Sequence, residues 1–360
     1  MRIGIITQPL FHNYGGTLQA FAMQEILRQL GHDPITIDYL PNYMSKGRYY
    51  LAQIKTLIYY LTFRHSRKFF AYPKRIRRPE FQKFMDKYMS LTKTIHKYRV
   101  GILRKYKIDA IIVGSDQVWR GQFYSPSVQP DLFLRFARNY HVPKIAYAAS
   151  FGVDKWEYSD KLTKECAKYA KQFRAISTRE DSGVKLCKEY LHVGAIGVSD
   201  PTLLLNKEDY EKICSSIPIH KSPYLLAYLL DITESQKRRI EAFASRYRLA
   251  VEFCTADNGI IFSVEEWLAL FRDAAFVITN SFHGTVFSII NNKDFYTINN
   301  ENRGADRFLS LLSRFNLKDR LISHIDYLPQ TMQIIEWPTI NQIKQNWQYE
   351  GICFLKNNLM

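Results

Sequence analysis

The segment Thr279-Asn280-Ser281-Phe282-His283-Gly284-Thr285 packs an amide, three hydroxyls, an imidazole and a glycine into seven positions. It follows the apolar run Ala274–Ile278, which reads as a short buried strand. It precedes Val286-Phe287-Ser288-Ile289-Ile290, which reads as a helix closing at Asn291-Asn292. A strand that breaks at polar residues and re-enters as a helix forms an anion site, because the first helical N–H groups and the positive helix end face the ligand. Gly284 lets a ligand come close. The same residues also fit a plain helix start, with Asn280 or Ser281 as N-cap and His283 as a packed histidine.

Other chemistry-bearing residues recur just past apolar runs. Asp116 and Trp119 follow the run Ile108–Val113, Arg179 follows Ala175–Ser177, and Arg303 and Arg307 follow Asp294–Ile298. In an open α/β sheet, residues beyond the strands' carboxyl ends meet the ligand. Guanidinium forks match phosphate and carboxylate, so these arginines beside a helix N-terminus would hold a multivalent anion. Arg303 and Arg307 could instead pair with Glu301 and Asp306. Asp116 and His283 are the acid/base candidates. No P-loop and no HExxH segment occurs, and the five cysteines lack zinc-ligand spacing, so the site reads as anion-binding and metal-independent. Near the N-terminus, Asn13-Tyr14-Gly15-Gly16 ends a long polar and aromatic loop that is not GxGxxG. A nicotinamide cofactor is therefore rejected, although Asp38 stands where such a fold would hold a ribose. The loop is either shaped for another ligand or is only a tight turn.

The elements that must position these residues alternate. Ile3–Thr7 reads as a strand, Thr17–Leu30 as a helix stopped by Gly31, and Pro34–Asp38 as the next strand. The rhythm resumes at Ile108 and continues past residue 300, which predicts α/β architecture with parallel sheets and helices on both faces. Asp200-Pro201 marks a crossover between halves. The expected organisation is two Rossmann-like domains facing a central cleft, residues 1–198 and 199–330. A tail helix over 331–360 would pack back on the first domain.

The chain has 360 residues, 46% hydrophobic and 23% charged, as in a folded globular protein. Its five cysteines are odd in number and widely spaced, which fits reduced thiols in the cytoplasm. The start lacks a signal-peptide core, and no apolar run is long enough to span a bilayer. The net charge of +16 is uneven: between Lys46 and Lys83 eleven Lys or Arg face the single acid Glu80. Tyrosines and phenylalanines interleave this stretch, which belongs to an insertion at about 42–105 expected to be largely helical. An anionic membrane surface would suit it, and so would plain solvation. Nucleic acid is disfavoured, since no binding motif accompanies the charge.

Six segments carry a family resemblance. They are Asn13–Ala20, Val113–Trp119, Tyr147–Gly152, Arg179–Ser182, Asp200–Leu203 and Ser281–Thr285, in that order from residue 13 onward. The set resembles the polysaccharide pyruvyl transferase family. The resemblance implies a GT-B-like fold and transfer of the pyruvyl group of phosphoenolpyruvate to sugar hydroxyls of a surface glycan, such as an exopolysaccharide or capsule polymer, or of its lipid-linked precursor. A ketal forms and phosphate leaves, with no cofactor beyond that co-substrate. On this reading Arg179, Asn280, Ser281, Gly284, Thr285, Arg303 and Arg307 bind the donor. Asn13, Tyr14, Gly15, Gly16 and Trp119 face the acceptor, and Asp116 and His283 are catalytic. The enzyme would work in the cytoplasm, peripheral to the membrane. The alternative is a GT-B-type glycosyltransferase using a nucleotide sugar. Asn280 stands where an Asp is equally expected, and Gln117-Val118-Trp119 and Arg303–Arg307 mark a subgroup, so fold transfers more safely than substrate.

Overall fold

The computed structural model describes residues 1–41, 46–61, 77–255, 261–299 and 304–359. The first half is built on a six-stranded sheet of β1 (Arg2–Ile6), β2 (Asp33–Thr36), β3 (Ala110–Val113), β4 (Lys144–Ala149), β5 (Ala175–Thr178) and β6 (Ile196–Gly197), in the order β2-β1-β3-β4-β5-β6. The second half has a five-stranded sheet of β7 (Tyr224–Leu229), β8 (Ala250–Thr255), β9 (Phe276–Thr279), β10 (Phe295–Ile298) and β11 (Leu321–Ile322), in the order β11-β10-β9-β7-β8. Every strand pair is parallel. Parallel strands covered on both faces read as continuous apolar runs. Accordingly Ile3, Ile5 and Ile112 enter one core while Ile6, Ile111 and Val113 enter the other.

Both sheets share one winding. β1 lies between β2 and β3, and β7 lies between β8 and β9. At such a point successive connections leave in opposite directions and open a crevice beyond the strands' carboxyl ends. The loops after β1, β3, β7 and β9 therefore hold the residues that can meet a ligand.

In the first half α1 (Tyr14–Gln29) follows β1, and Asn13 caps it by accepting from the Gly16 N–H at 3.1 Å. The insertion after β2 contains α2 (Lys46–Leu61), α3 (Pro79–Tyr88) and α4 (Val100–Lys105). Its described residues are mostly helical, with one extended stretch. Between α3 and α4 the chain is extended, pairing Leu91 with Thr36 and Ile95 with Tyr39. Leu91-Thr92-Lys93-Thr94-Ile95 alternates and is rich in β-branched residues, which suits an edge beside β2. The Asp38 carboxylate is engaged within the chain: Arg77 forms an ion pair with it and Thr94 Oγ1 donates to it at 2.5 Å. The same Arg77 donates through Nε to the Leu10 carbonyl, tying the insertion to the loop after β1. α5 (Asp160–Ala170) and α6 (Asp181–Leu186) complete this half.

The second half adds α7 (Lys207–Ile213), α8 (Glu234–Ser245), α9 (Val264–Asp273), α10 (Phe282–Ile290) and α11 (Asp306–Arg314). The chain ends in α12 (Trp337–Leu359), which spans the halves. Trp347 packs on Phe315 at 5.8 Å, while Phe354 reaches Tyr147 of β4 at 6.0 Å and Arg174 donates to the Asn358 carbonyl at 3.2 Å. All five cysteines are free thiols, four of them buried. Burial pushes Cys187 and Cys254 up to about 12.

Candidate functional site

The β9–α10 turn is held by its own polar residues. Thr279 Oγ1 donates to the Tyr228 carbonyl at 2.7 Å and accepts from the Ser281 N–H at 3.1 Å. Asn280 Oδ1 accepts from the Leu230 N–H at 2.7 Å, and its Nδ2 donates to the Asp231 carbonyl at 3.2 Å. Asn280 thus stitches the end of β7 to the end of β9. Ser281 is the N-cap of α10. Gly284 is required for packing, since a Cβ there would run into Thr279 and press on Tyr228.

Thr285 lies apart from the ligand space. It is fully buried, donates to the Ser281 carbonyl at 3.2 Å and sits 2.8 Å from the Thr297 hydroxyl. In a helix, a residue three or four positions past the N-cap turns back over the first turn, here toward β10. Thr285→Val is therefore expected to lower stability by about 1–3 kcal/mol, because Thr297 loses its buried partner. Thermal melting checks this, and donor affinity should be unchanged.

His283 stands where the halves meet. A Cβ on Gly15 would overlap its imidazole ring, so the bare backbone of α1 in the first half serves as its seat. His283 Nε2 lies 3.7 Å from Asp200 Oδ2, an ion-pair distance too long for a hydrogen bond. Asp200 also takes Arg179 Nη1 at 3.0 Å, Ser115 Oγ at 3.2 Å, and the N–H and hydroxyl of Thr202 at 3.0 and 2.7 Å. Arg179 extends this chain, donating through Nη2 to Asp116 Oδ1 and to Ser150 Oγ, each at 3.3 Å. Its guanidinium sits over Phe282 at 4.3 Å. The result is a continuous buried array, His283–Asp200–Arg179–Asp116.

Its electrostatics follow from that geometry. Burial pushes the Asp200 carboxyl up, but His283, Arg179 and the Thr202 N–H outweigh it and hold the group well below the usual carboxylate range. Glu180, which accepts from Ser150 Oγ and the Phe151 and Gly152 N–H groups, is raised by burial despite Arg179 beside it. Arg307 is buried 5.8 Å from Phe282, where burial and then the charge of Arg179 bring it down to about 10.

Asp116, His283 and Arg307 face a cleft of about 760 Å³ between the halves. The first half lines it with Phe11, His12, Asn13, Tyr14, Arg78, Asp116, Arg120 and Phe123. The second half lines it with Tyr228, Thr255, Asn280, Ser281, Phe282, His283 and Arg307. Tyr14 also joins the halves, stacking on Trp267 at 5.2 Å and donating to the Phe262 carbonyl at 2.7 Å.

The residues singled out from sequence divide accordingly. Asp116, Arg307, Asn13, Tyr14, Asn280, Ser281 and His283 line the cleft, and Arg179 lies directly behind Asp116. Gly15, Gly16 and Gly284 are buried backbone supports. Trp119 does not face the cleft: it is in the core, stacked on Phe133 at 4.7 Å with Nε1 donating to the Leu132 carbonyl at 3.1 Å. The cause is the turn at Asp116, whose φ of 67° sends Val118 and Trp119 back inward. Arg303 lies outside the described residues. Asp200, Arg120 and Arg78 escaped the sequence reading. Asp200 looked like a crossover turn, yet its carboxylate is the hub of the array. Arg120 Nε donates to Glu157 at 3.2 Å from within the cleft lining.

The same two-sheet architecture occurs in known structures. UDP-GlcNAc 2-epimerase from Neisseria meningitidis, solved with UDP-GlcNAc bound, matches with a TM-score of 0.53 at 8% identity, over 98% of this chain and 94% of that one. The S. aureus MnaA–UDP co-structure matches with a TM-score of 0.51 at 8% identity, over 98% and 90%. At such identity the likeness shows the fold, which is GT-B-like. No curated protein matches the chain. The sequence pattern of one family, polysaccharide pyruvyl transferase, spans residues 13–302, from the N-cap of α1 to the approach to α11. With the ordered cleft residues inside that span, the chain belongs to the polysaccharide pyruvyl transferase family.

Proposed function

We propose that the protein transfers the pyruvyl group of phosphoenolpyruvate to hydroxyls of a surface glycan or its lipid-linked precursor, in the cytoplasm, forming a ketal and releasing phosphate. The observation that carries this reading is the meeting of Arg179 and Arg307 around Phe282, beside His283 at the start of α10. Arg179 is balanced by Asp200 and Asp116, but burial and the charge of Arg179 weigh on Arg307, and an anion bound in the cleft would relieve that. Phosphoenolpyruvate offers two anionic groups, a phosphate and a carboxylate.

The array also divides the proton work. Asp116, whose Oδ1 accepts from Arg179 and from the Gln117 N–H at 2.9 Å, lines the cleft where an acceptor hydroxyl would lie, and it is assigned as the base by that position. His283 lines the cleft with its Nε2 3.7 Å from the Asp200 carboxylate, and it is assigned as the proton donor by that position. His283 protonates the methylene carbon, C3, and a sugar hydroxyl adds at C2 while its proton passes to Asp116. A second hydroxyl then displaces the phosphate, and its proton departs with that group. The donor and a diol thus become a cyclic ketal and phosphate, and the reaction as written draws on no cofactor.

Thermal melting with phosphoenolpyruvate against a panel of nucleotide sugars tests the donor. Stabilisation by phosphoenolpyruvate is expected, whereas stabilisation only by a nucleotide sugar would make the protein a glycosyltransferase. Arg307→Gln should raise KM for phosphoenolpyruvate roughly tenfold or more, the scale of one lost charge-assisted contact. Initial rates of phosphate release at varied donor concentration measure it.

A further inference from the structure

α2 turns large apolar side chains outward. Tyr50 and Leu51 are 60% exposed, Ile54 53%, Leu57 46% and Ile58 54%. At the helical step of about 100° per residue these five positions fall within an arc of roughly 120°, one continuous stripe. Thr56, on the other side, is buried. The helix carries Lys46, Arg48 and Lys55 and no acid, and it opens the stretch 46–83 with eleven cations and one acid.

Apolar stripe and charge together select the occupant. A second copy of this helix would bring like charge against like charge. An anionic lipid surface accepts the stripe among its acyl chains and the cations among its headgroups. No helix among the described residues is long and apolar enough to cross a membrane, so the association would lie in the interface plane. We propose that α2 is a membrane-surface helix that docks the protein on an anionic bilayer.

The fold gives this docking a consequence. Arg77, within the basic stretch, is held by Asp38 and by the Leu10 carbonyl. Leu10 lies between Pro9 and Phe11, both in the cleft lining, and Arg78 lines the cleft as well. The insertion that carries α2 thus also contributes Arg77 and Arg78 at the cleft rim, where a lipid-linked glycan acceptor could enter. That last clause rests on the transferase reading, whereas the docking itself does not.

Sedimentation with vesicles of phosphatidylcholine alone, and of phosphatidylcholine mixed with phosphatidylglycerol, tests it on the full chain. Binding is expected only with phosphatidylglycerol and should weaken as salt rises. Leu51→Glu with Ile54→Glu should reduce it at least about tenfold, with unchanged melting because both side chains are exposed. Lys55→Glu should weaken it less. No vesicle binding, or binding indifferent to the two Glu substitutions, overturns the proposal. If Ile54→Glu instead converts a dimer to a monomer without any vesicle binding, a second copy covers the stripe and the proposal also fails. Melting of the same variants with phosphoenolpyruvate reads the cleft separately, so loss of docking and loss of the donor reading are told apart.

Discussion

His283→Gln is expected to lower kcat for phosphate release by about 10²- to 10⁴-fold, the scale of a lost general acid, while phosphoenolpyruvate still raises the melting temperature. The glutamine amide keeps polarity and much of the bulk but cannot deliver a proton at neutral pH. Donor binding should survive because the guanidiniums of Arg179 and Arg307 around Phe282 remain. Gly15→Ala supplies an independent test of the same role. Its Cβ would overlap the imidazole, so the ring must shift although its chemistry is intact. A misplacement on the order of an ångström can cost about 10²-fold in rate. The two variants should therefore share a kcat defect with little change in KM. A His283→Gln enzyme with a near-normal kcat would remove His283 from the proton path and leave Asp116 as the acid. A lost response to phosphoenolpyruvate would instead make His283 a binding residue.

The frame of the cleft was legible because parallel strands buried on both faces leave a one-dimensional trace. Ala-Ile-Ile-Val in β3 and Phe-Val-Ile-Thr in β9 each end at polar residues, and those residues must sit at the sheet's carboxyl edge. Direction within a turn leaves no such trace. Trp119 lies three residues past Asp116, yet the positive φ at Asp116 carries it into the core. Thr285 resembled a ligand hydroxyl, but its rotation about α10 sets it against Thr297 of β10. Asp200 and Gly15 were hidden for another reason. Their roles arise from contacts with His283, 83 and 268 residues away in the chain, and no local period records such a meeting. Asp38 shows the converse, a residue at a suggestive position whose charge is taken up by Arg77.

Arg179→Met should be the most damaging single change to the fold around the cleft. Arg179 is buried and joins two carboxylates, Asp200 at 3.0 Å and Asp116 at 3.3 Å. Removing one partner of a buried ionic cluster costs about 3–5 kcal/mol, because charge is left without compensation. Arg179→Lys should be intermediate, since one ammonium cannot span both carboxylates as a guanidinium does. The pH dependence identifies the cause. In the native protein Asp200 is held below its ordinary range, so its ionised form contributes stability at neutral pH that is lost only in strong acid. In Arg179→Met the Asp200 carboxyl loses one charge that holds it down, while His283 and the Thr202 N–H remain, so it moves up from its native position. The native protein then loses more stability than the variant as Asp200 protonates, so the variant's deficit should shrink as pH falls from neutral through the ordinary carboxylate range near about 3.9. Melting temperatures of the two proteins across this range give the result directly, and a deficit independent of pH would mean lost packing on Phe282 instead. Adding Asp200→Asn to Arg179→Met should recover part of the stability at neutral pH by removing one stranded charge. The double variant should still lack activity, because both the guanidinium that orders Asp116 and the carboxylate facing His283 are gone.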